Sequence, residues 1–183
     1  MSTLRIGFVG LGAMGGSMAG HLHRLGLLAA VSNRTHEKAA RFAAEHAGVH
    51  AFADAGELAA HCDVVVSCVT ADSDVLALAE ALAMRAKPGF VLVDTSTIAS
   101  TSARQVAGIL RAVGADFIDA PVSGGVEGAK NGKLSVMAGG DAATLERVRP
   151  AIDAFAVKIT LMGEVGQGQN TKAVNQVLVA GIA

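Results

Sequence analysis

Residues 6–16 read Ile-Gly-Phe-Val-Gly-Leu-Gly-Ala-Met-Gly-Gly, an apolar run that breaks into a glycine-rich turn. The run has the pattern of a buried strand, and the spacing of Gly10, Gly12 and Gly15 is that of a strand turning tightly into a helix. Backbone N–H groups at the start of such a helix, together with the helix dipole, hold an anion. The stretch therefore predicts a phosphate-binding turn.

The three glycines of this turn have separate expected roles. Gly10 makes the turn, Gly12 lets the backbone approach a pyrophosphate, and Gly15 lets the helix lie close to the strand. A merely structural glycine turn is the alternative, but the strand before the turn and the apolar helical stripe after it favour a dinucleotide site. The residues expected to bind the dinucleotide here are Gly10, Leu11, Gly12, Ala13, Met14 and Gly15.

Composition narrows the class of protein. Hydrophobic residues make up 51% of the 183-residue chain and aromatic residues only 3%, which is typical of parallel sheets covered by helices. A net charge of -1 without a basic cluster argues against nucleic acid and acidic membrane surfaces as partners. Cys62 and Cys68 lack a metal-ligand spacing, so we expect buried thiols and no metal site. Without a signal segment or a bilayer-length apolar run, the expected location is the cytoplasm.

Strand-like and helix-like segments alternate along the chain. Right-handed crossovers between such strands give an α/β fold of the Rossmann-like type, with a doubly wound, mostly parallel sheet. The expected strands are residues 4–9, 27–32, 63–69, 90–93, 116–120, 134–138 and 157–161. Acidic residues are expected to cap two helices, Asp72 or Asp74 before residues 75–84 and Asp141 before a later one. Ser102 and Gln105 have the spacing of a capping box.

The second expected strand is followed by Asn33, Arg34 and Thr35 rather than by an acidic residue. A carboxylate at this point would bind the ribose 2'-hydroxyl and repel a 2'-phosphate. Arg34 can instead clamp a 2'-phosphate while its two neighbours donate hydrogen bonds, although it is also compatible with the start of a surface helix. Val69 and Thr70 follow another strand and would face the same ligand. The expected cofactor is NADP, with NAD as the alternative.

Two further groups of residues carry candidate chemistry. Lys172 and Asn175 project from one face of a predicted helix, and an ammonium beside a substrate oxygen can act as general acid or, once deprotonated, as general base. A solvated surface lysine is the alternative on spacing alone. Ser123, Gly124 and Gly125 offer a hydroxyl and successive unobstructed N–H groups, which suit a carboxylate, or form an ordinary turn.

Three motifs in this order resemble those of the 3-hydroxyacid dehydrogenase family, the group of 3-hydroxyisobutyrate dehydrogenase, tartronate semialdehyde reductase and 6-phosphogluconate dehydrogenase. They are residues 10–15, residues 119–125 (Asp-Ala-Pro-Val-Ser-Gly-Gly) and residues 166–176 (Gly-Gln-Gly-Gln-Asn-Thr-Lys-Ala-Val-Asn-Gln). The resemblance covers essentially the whole chain. It implies an NAD(P)-dependent interconversion of a small 3-hydroxy acid and its semialdehyde.

The resemblance also implies roles for individual residues. The lysine that matches Lys172 exchanges a proton with the substrate, and the asparagine that matches Asn175 helps to position it. Residues 123–125 match the loop that holds the substrate carboxylate. Thr95 and Thr97 match the strand end beside the nicotinamide and the substrate, so Thr95 is expected to contact the cofactor and Thr97 the substrate.

Family members continue into an all-helical C-terminal domain that closes the substrate cleft and makes the dimer contacts. We therefore expect a dinucleotide-binding domain at residues 1–164 and the start of an interdomain helix at 165–183, in a truncated or excised chain. Such a chain should bind cofactor with weak or absent turnover. The resemblance leaves open the substrate (tartronate, methylmalonate or succinic semialdehyde, or a larger 3-hydroxy acid) and whether the chain forms a homo-oligomer. A non-catalytic dinucleotide-binding module that associates through its C-terminal helix is the alternative function.

Overall fold

The computed structural model describes residues 4–182. Its strands are β1 Ile6–Val9, β2 Leu28–Ser32, β3 His50–Phe52, β4 Val64–Ser67, β5 Val91–Asp94, β6 Asp116–Asp119, β7 Val122–Ser123, β8 Leu134–Gly139 and β9 Ala156–Gly163. Its helices are α1 Gly15–Arg24, α2 His36–Glu45, α3 Glu57–His61, α4 Asp72–Ala83, α5 Ser100–Arg111, α6 Gly125–Lys130, α7 Ala142–Asp153 and α8 Gln167–Ile182. In this described part, no helix is long and apolar enough to cross a membrane.

The strands form one sheet in the order β3-β2-β1-β4-β5-β6-β8-β7, and β9 pairs with β8. The pairs from β3 to β6 are parallel, whereas β8 runs antiparallel to β6 and β7. The predicted Rossmann-like, mostly parallel sheet is therefore confirmed. The strand order reverses between β1 and β4, and ligands of open α/β sheets bind at the carboxyl ends of strands beside such a reversal.

Hydrophobic cores cover both faces of the sheet. Along β4, Val64 and Val66 pack into one core and Val65 into the other, because successive side chains of a strand point to opposite faces. Helices α1, α2, α6 and α7 contribute to the first core, and helices α3, α4 and α5 to the second. Burial on both faces explains why the sequence of β4 is a continuous apolar run.

The helix starts in the structure agree only in part with those predicted from the sequence. The Asp141 carboxylate accepts a hydrogen bond from the Thr144 amide at 2.8 Å, which confirms the predicted cap of α7. Helix α4 begins at Asp72 rather than after Asp74, and the Asp74 carboxylate reaches back to the Ala71 amide at 3.2 Å. The capping box predicted at Ser102 is wrong, because α5 already begins at Ser100.

Two short elements, β7 and α6, were not predicted from the sequence. They occupy the segment that includes Ser123, Gly124 and Gly125. Gly124 and Gly125 have φ angles of +129° and +61°, which L-residues with side chains rarely adopt. The glycines therefore allow the chain to leave β7 and begin α6 within one turn.

Candidate functional site

The glycine turn after β1 is closely packed on two sides and open on the third. Gly10 has a φ of +95°, and a Cβ atom there would lie 2.2 Å from the Cys68 carbonyl oxygen. A Cβ atom at Gly15 would lie 1.9 Å from the Gly10 carbonyl oxygen, so α1 can begin here only without a side chain. A Cβ atom at Gly12 would meet no atom within 4 Å. The turn thus leaves its free space at Gly12, where a pyrophosphate is expected.

Asn33 links this turn to the segment after β2. Its Oδ1 atom accepts a hydrogen bond from the Leu11 amide at 2.9 Å, and its Nδ2 atom donates to the Thr35 carbonyl at 3.0 Å. The sequence assigned Asn33 a contact with the cofactor, but did not indicate this structural link. One N–H of the carboxamide is left for a ligand, because Asn carries two such donors.

A cavity of about 470 Å³ opens beside the turn at the carboxyl ends of β1, β2 and β4. The predicted residues that line it are Gly10, Gly12, Asn33, Arg34, Thr35, Val69 and Thr70. Apolar side chains of α4, among them Leu78 and Ala81, form one wall. The volume and the mixed lining are those of a small-molecule site. Leu11, Ala13, Met14 and Gly15 lie in the adjoining turn and first helical residues rather than in the lining.

Charged side chains at the rim of this cavity include two to which the sequence assigned no role in a ligand site. Lys38 of α2 lines the cavity together with Arg34, whose side chain is 87% exposed. Asp74 of α4 also lines the cavity, and its Oδ1 atom lies 4.0 Å from Nη1 of Arg34. The rim therefore combines two cations with a carboxylate from a different element. No local pattern identifies Asp74 as a neighbour of Arg34, because 40 positions separate the two residues.

The end of β5 carries a buried carboxylate. Asp94 accepts hydrogen bonds through Oδ1 from the hydroxyl groups of Ser67 and Ser96, both at 2.7 Å. Its Oδ2 atom has no hydrogen-bond partner in the described residues. Burial raises the pKa of the Asp94 carboxyl to about 6. A carboxylate in this state is unusual inside a sheet, since buried polar atoms are normally paired.

The structure places Thr95 neither in the lining of this cavity nor in that of a second, smaller cavity between α8 and the strands β8 and β9. Thr95 is 3% exposed, and its hydroxyl donates to the Ser67 carbonyl at 2.6 Å inside the sheet end. Thr97 lies two residues further on and is exposed, although its neighbours Ser96 and Ile98 are buried, and it too is outside both cavity linings. The roles expected for these threonines stay predictions.

Helix α8 is attached to the sheet by a second buried carboxylate. The Asp119 carboxylate at the end of β6 accepts hydrogen bonds from the backbone amides of Gly166 at 2.8 Å and Gln169 at 2.9 Å. The Gln169 side chain donates to the Ser96 carbonyl at 2.8 Å and accepts from the Ile98 amide at 3.2 Å. The first turn of α8 is thereby fixed to the carboxyl ends of β5 and β6.

Lys172 lies one turn further along α8 and is only 8% exposed. Its Nζ atom donates to Oε1 of Gln176 at 2.7 Å, and no carboxylate of residues 4–182 forms an ion pair with it. Burial lowers the pKa of the Lys172 ammonium from its ordinary value. This lysine is therefore not the solvated surface residue that spacing alone allowed.

Gln176 is a site residue to which the sequence assigned no role. Its Oε1 atom accepts from Lys172 and is also 3.4 Å from Nδ2 of Asn175. The i to i+4 spacing of Lys172 and Gln176 is a signal that could have identified this pair.

A second cavity, of about 390 Å³, lies between α8 and the strands β8 and β9. Ser123 and Asn175 both line it, so the structure brings these two predicted residues together across 52 positions of sequence. Lys158 and Thr171 add further polar groups to the lining. The lining does not include Lys172, Gly124, Gly125 or Thr97.

Comparison with known proteins gives a family match over most of the chain. The model of the NAD binding domain of 6-phosphogluconate dehydrogenase matches residues 5–163. Over 182 residues the chain is 41% identical to an uncharacterized oxidoreductase of Shewanella frigidimarina, covering 97% of this chain and 62% of that protein. It is 40% identical to a probable mitochondrial 3-hydroxyisobutyrate dehydrogenase-like protein of Arabidopsis thaliana (98% and 54% covered). It is 38% identical to an NAD-dependent L-serine dehydrogenase of Pseudomonas aeruginosa (96% and 59% covered).

Solved structures show the same relationship. The 3-hydroxyisobutyrate dehydrogenase of Mycobacterium tuberculosis, solved with L-serine, superposes with a TM-score of 0.91 at 35% identity, covering 98% of this chain and 61% of that one. Psf3, solved in complex with NADP+ and 2-OPP, gives a TM-score of 0.86 at 31% identity, covering 94% and 62%. The chain thus spans about 60% of the length of the proteins that it matches.

Proposed function

The chain belongs to the family of the NAD binding domain of 6-phosphogluconate dehydrogenase, and from that premise we propose that it binds NADP(H) in preference to NAD(H) and serves the interconversion of a 3-hydroxy acid and its semialdehyde. The observation that carries the proposal is the desolvated Lys172, held by a helix that is fixed to the same sheet edge as the glycine turn. In domain terms, residues 1–164 form the dinucleotide-binding domain, and residues 165–183, which include α8, begin an interdomain helix.

The cofactor would be held by the turn and the larger cavity. Backbone N–H groups around Gly12 bind the pyrophosphate, and the cavity beside α4 takes the adenosine half. Arg34 and Lys38 bind the 2'-phosphate, in line with the NADP+ present in the Psf3 structure at 31% identity. When bound, NADP(H) supplies or takes up the hydride. The relatives do not decide between the two nucleotides, because the Pseudomonas aeruginosa relative is named NAD-dependent. The proposed preference for NADP(H) therefore rests on Arg34.

Lys172 moves the proton. In the oxidation direction its neutral amine accepts the proton of the substrate hydroxyl while the carbon–oxygen double bond forms, and in the reduction direction its ammonium returns that proton. Desolvation lowers the pKa of Lys172, which increases the fraction of neutral amine at a given pH. The Gln176 carboxamide holds the Nζ atom in place.

The substrate is a small carboxylic acid with a 3-hydroxyl group. Its carboxylate binds the Ser123 hydroxyl and the N–H groups of Gly124 and Gly125, while Asn175 and Thr97 position the rest of the molecule. L-Serine and 3-hydroxyisobutyrate both fit this description, and these are the compounds that appear in the names of the relatives. Both are therefore the first substrates to assay.

Calorimetric titration of the 183-residue chain with NADPH and with NADH tests the cofactor half of the proposal. We expect tighter binding of NADPH, and an affinity that is nearly unchanged in Lys172→Ala. If neither nucleotide binds, the proposed cofactor site is wrong, and with it the proposed function. For the chain by itself we expect weak or absent turnover, because a large part of each relative lies outside the match.

The role of Lys172 needs a complete substrate cleft. A chimera that joins this chain to the remaining C-terminal part of the Pseudomonas aeruginosa L-serine dehydrogenase supplies one. Lys172→Ala should abolish nucleotide reduction by L-serine in this chimera, whereas Lys133→Ala, at an exposed lysine outside both cavities, should leave it unchanged. Equal rates in the two variants would exclude Lys172 as the proton carrier.

A second candidate function is supported by exposed apolar side chains of α8, two of which, Val174 and Leu178, also line the second cavity. Val174, Val177, Leu178 and Val179 are each more than half exposed. A non-catalytic module that associates with a partner through these exposed side chains would depend on them rather than on Lys172. Val177→Asp would then abolish association, and Lys172→Ala would have no effect on it.

A further inference from the structure

The rim of the larger cavity brings together a cation and a carboxylate from different elements. Asp74 is the third residue of α4, and its Oδ1 atom is 4.0 Å from Nη1 of Arg34. Its Oδ2 atom accepts a hydrogen bond from the Ala71 amide at 3.2 Å, which fixes the carboxylate on the helix. Arg34 is far more exposed than Asp74, with side-chain exposures of 87% and 32%. The Asp74 carboxylate is therefore fixed in position, whereas the exposed Arg34 guanidinium is free to move.

Asp74 also changes what the rim presents to a ligand. Among the described residues that line the cavity, the charged ones are Arg34, Lys38 and Asp74, so one carboxylate faces two cations. A 2'-phosphate bound by Arg34 would lie near the Asp74 carboxylate, and like charges at this range repel. A ribose 2'-hydroxyl meets no such repulsion and can donate a hydrogen bond to a carboxylate.

We propose that Asp74 is a specificity-determining residue that weakens binding of the 2'-phosphate and so limits the preference for NADP(H) over NAD(H). It acts in two ways. It attracts the guanidinium of Arg34, which must leave Asp74 to clamp a phosphate, and it repels the phosphate directly. The inference rests on the proposed function, in which this cavity binds the adenosine half of the cofactor.

The test compares Asp74→Asn with the unchanged chain in calorimetric titrations with NADPH and NADH. Asn keeps an oxygen that can accept from the Ala71 amide and removes the charge. We expect Asp74→Asn to bind NADPH about two- to fivefold more tightly, the range of exposed charge pairs, with NADH affinity unchanged or lower. The gain should shrink at high ionic strength, because salt screens exposed charges.

Asp72→Asn is the matched control. Asp72 lies two residues earlier on the same helix, and its substitution removes the same charge. The Asp72 carboxylate, however, accepts a hydrogen bond from the Ala99 amide at 2.9 Å and does not line the cavity. Its ratio of NADPH to NADH affinity should equal that of the unchanged chain. In the background of Arg34→Ala, the effect of Asp74→Asn should fall, since only the direct repulsion is left.

The outcomes separate this inference from the proposed function. An unchanged ratio of affinities in Asp74→Asn overturns the role of Asp74 while the cofactor site stands. Failure of the unchanged chain to bind either nucleotide overturns the proposed function itself. Should Asp74→Asn not fold, Asp74→Ser keeps a capping oxygen without the charge and carries the same expectation.

Discussion

The Asp119 carboxylate accepts a hydrogen bond from the backbone amide of Gln169 at 2.9 Å, although 50 positions separate the two residues. The same carboxylate accepts from the Gly166 amide at 2.8 Å. Asp119 ends β6 and Gln169 lies in the first turn of α8, so this contact ties the sheet to the helix that carries Lys172. A change at Asp119 should therefore affect the position of Lys172 as well as stability.

Replacing Asp119 with Ala leaves two buried amides at the start of α8 without their acceptor. We expect the free energy of unfolding to fall by about 2–4 kcal/mol, the cost of about two lost buried hydrogen bonds. Urea denaturation measures this loss. Hydrogen exchange should also show faster opening of the first turn of α8.

The control for this change is Asp141→Ala, which removes a cap of one backbone amide from α7. It should cost about 1 kcal/mol and leave exchange in α8 unchanged. If the backbone amides of α8 exchange hydrogen at the same rate in Asp119→Ala as in the unchanged chain, contacts other than Asp119 hold the helix.

The two buried carboxylates predict a pH dependence of stability. Burial raises the pKa values of Asp94 and Asp119 from 3.8 to about 6. Between these values the folded chain binds more protons than the unfolded chain, so its free energy of unfolding should decrease as pH rises from about 4 to 6. The loss is about 2–3 kcal/mol for each group. Denaturant titrations at a series of pH values measure it.

Asp94→Asn isolates one of these contributions. The neutral amide keeps an oxygen for the hydroxyl groups of Ser67 and Ser96 but cannot ionise. The decrease in stability between about pH 4 and 6 should be smaller in this variant by about 2 kcal/mol. Parallel pH profiles for the variant and the unchanged chain would rule out Asp94 as a titrating group.

These contacts also show what the sequence could and could not predict. The strands around β4 and the glycine turn have local signals, namely a continuous apolar run and a fixed spacing of glycines. The start of α5 has no such local sequence signal. It is set by the Asp72 carboxylate, which accepts from the Ala99 amide at 2.9 Å, and by Gln169, which accepts from the Ile98 amide at 3.2 Å. Both partners are distant in sequence, which is why a local capping pattern at Ser102 failed.

The same limit applied to the site. Lys172 and Ser123 were named from motifs, whereas the burial of Lys172 and the place of Asp74 beside Arg34 depend on packing between elements. The sequence predicted a strand at residues 134–138, but it did not indicate that β8 runs antiparallel between β6 and β7 and forms a wall of the second cavity.

Neighbouring glycines at the start of α1 should respond differently to substitution. In Gly15→Ala the new Cβ atom would lie 1.9 Å from the Gly10 carbonyl oxygen, so the backbone must move. We expect a loss of about 1–3 kcal/mol, as for other overpacked sites. In Gly16→Ala the nearest atom is 3.9 Å away, and the helix should gain up to about 1 kcal/mol from the better helix former. Thermal denaturation of both variants measures the contrast, and similar melting temperatures would contradict it.

Gly12→Ala should weaken nucleotide binding while leaving the stability of the fold nearly unchanged. A Cβ atom there meets nothing within 4 Å in the free chain, so the free energy of unfolding should change by less than about 0.5 kcal/mol. The methyl group would occupy the space expected for the pyrophosphate and should weaken NADPH binding by at least about tenfold, or 1.4 kcal/mol. Unfolding and calorimetric titration of one preparation test both halves, and NADPH binding equal to that of the unchanged chain would place the pyrophosphate elsewhere.

Gln176→Ala should change the titration of Lys172. The Gln176 carbonyl oxygen accepts from the Lys172 Nζ atom at 2.7 Å, and an acceptor stabilises the charged ammonium more than the neutral amine. Because burial already lowers the pKa of Lys172, loss of this acceptor should lower it further. NMR of the lysine side-chain carbons across pH follows this titration in the chain itself. Gln167→Ala is the matched control, since Gln167 accepts from Asn170 rather than from Lys172. A Lys172 titration that is the same in both variants would mean that Gln176 does not set the protonation of the lysine.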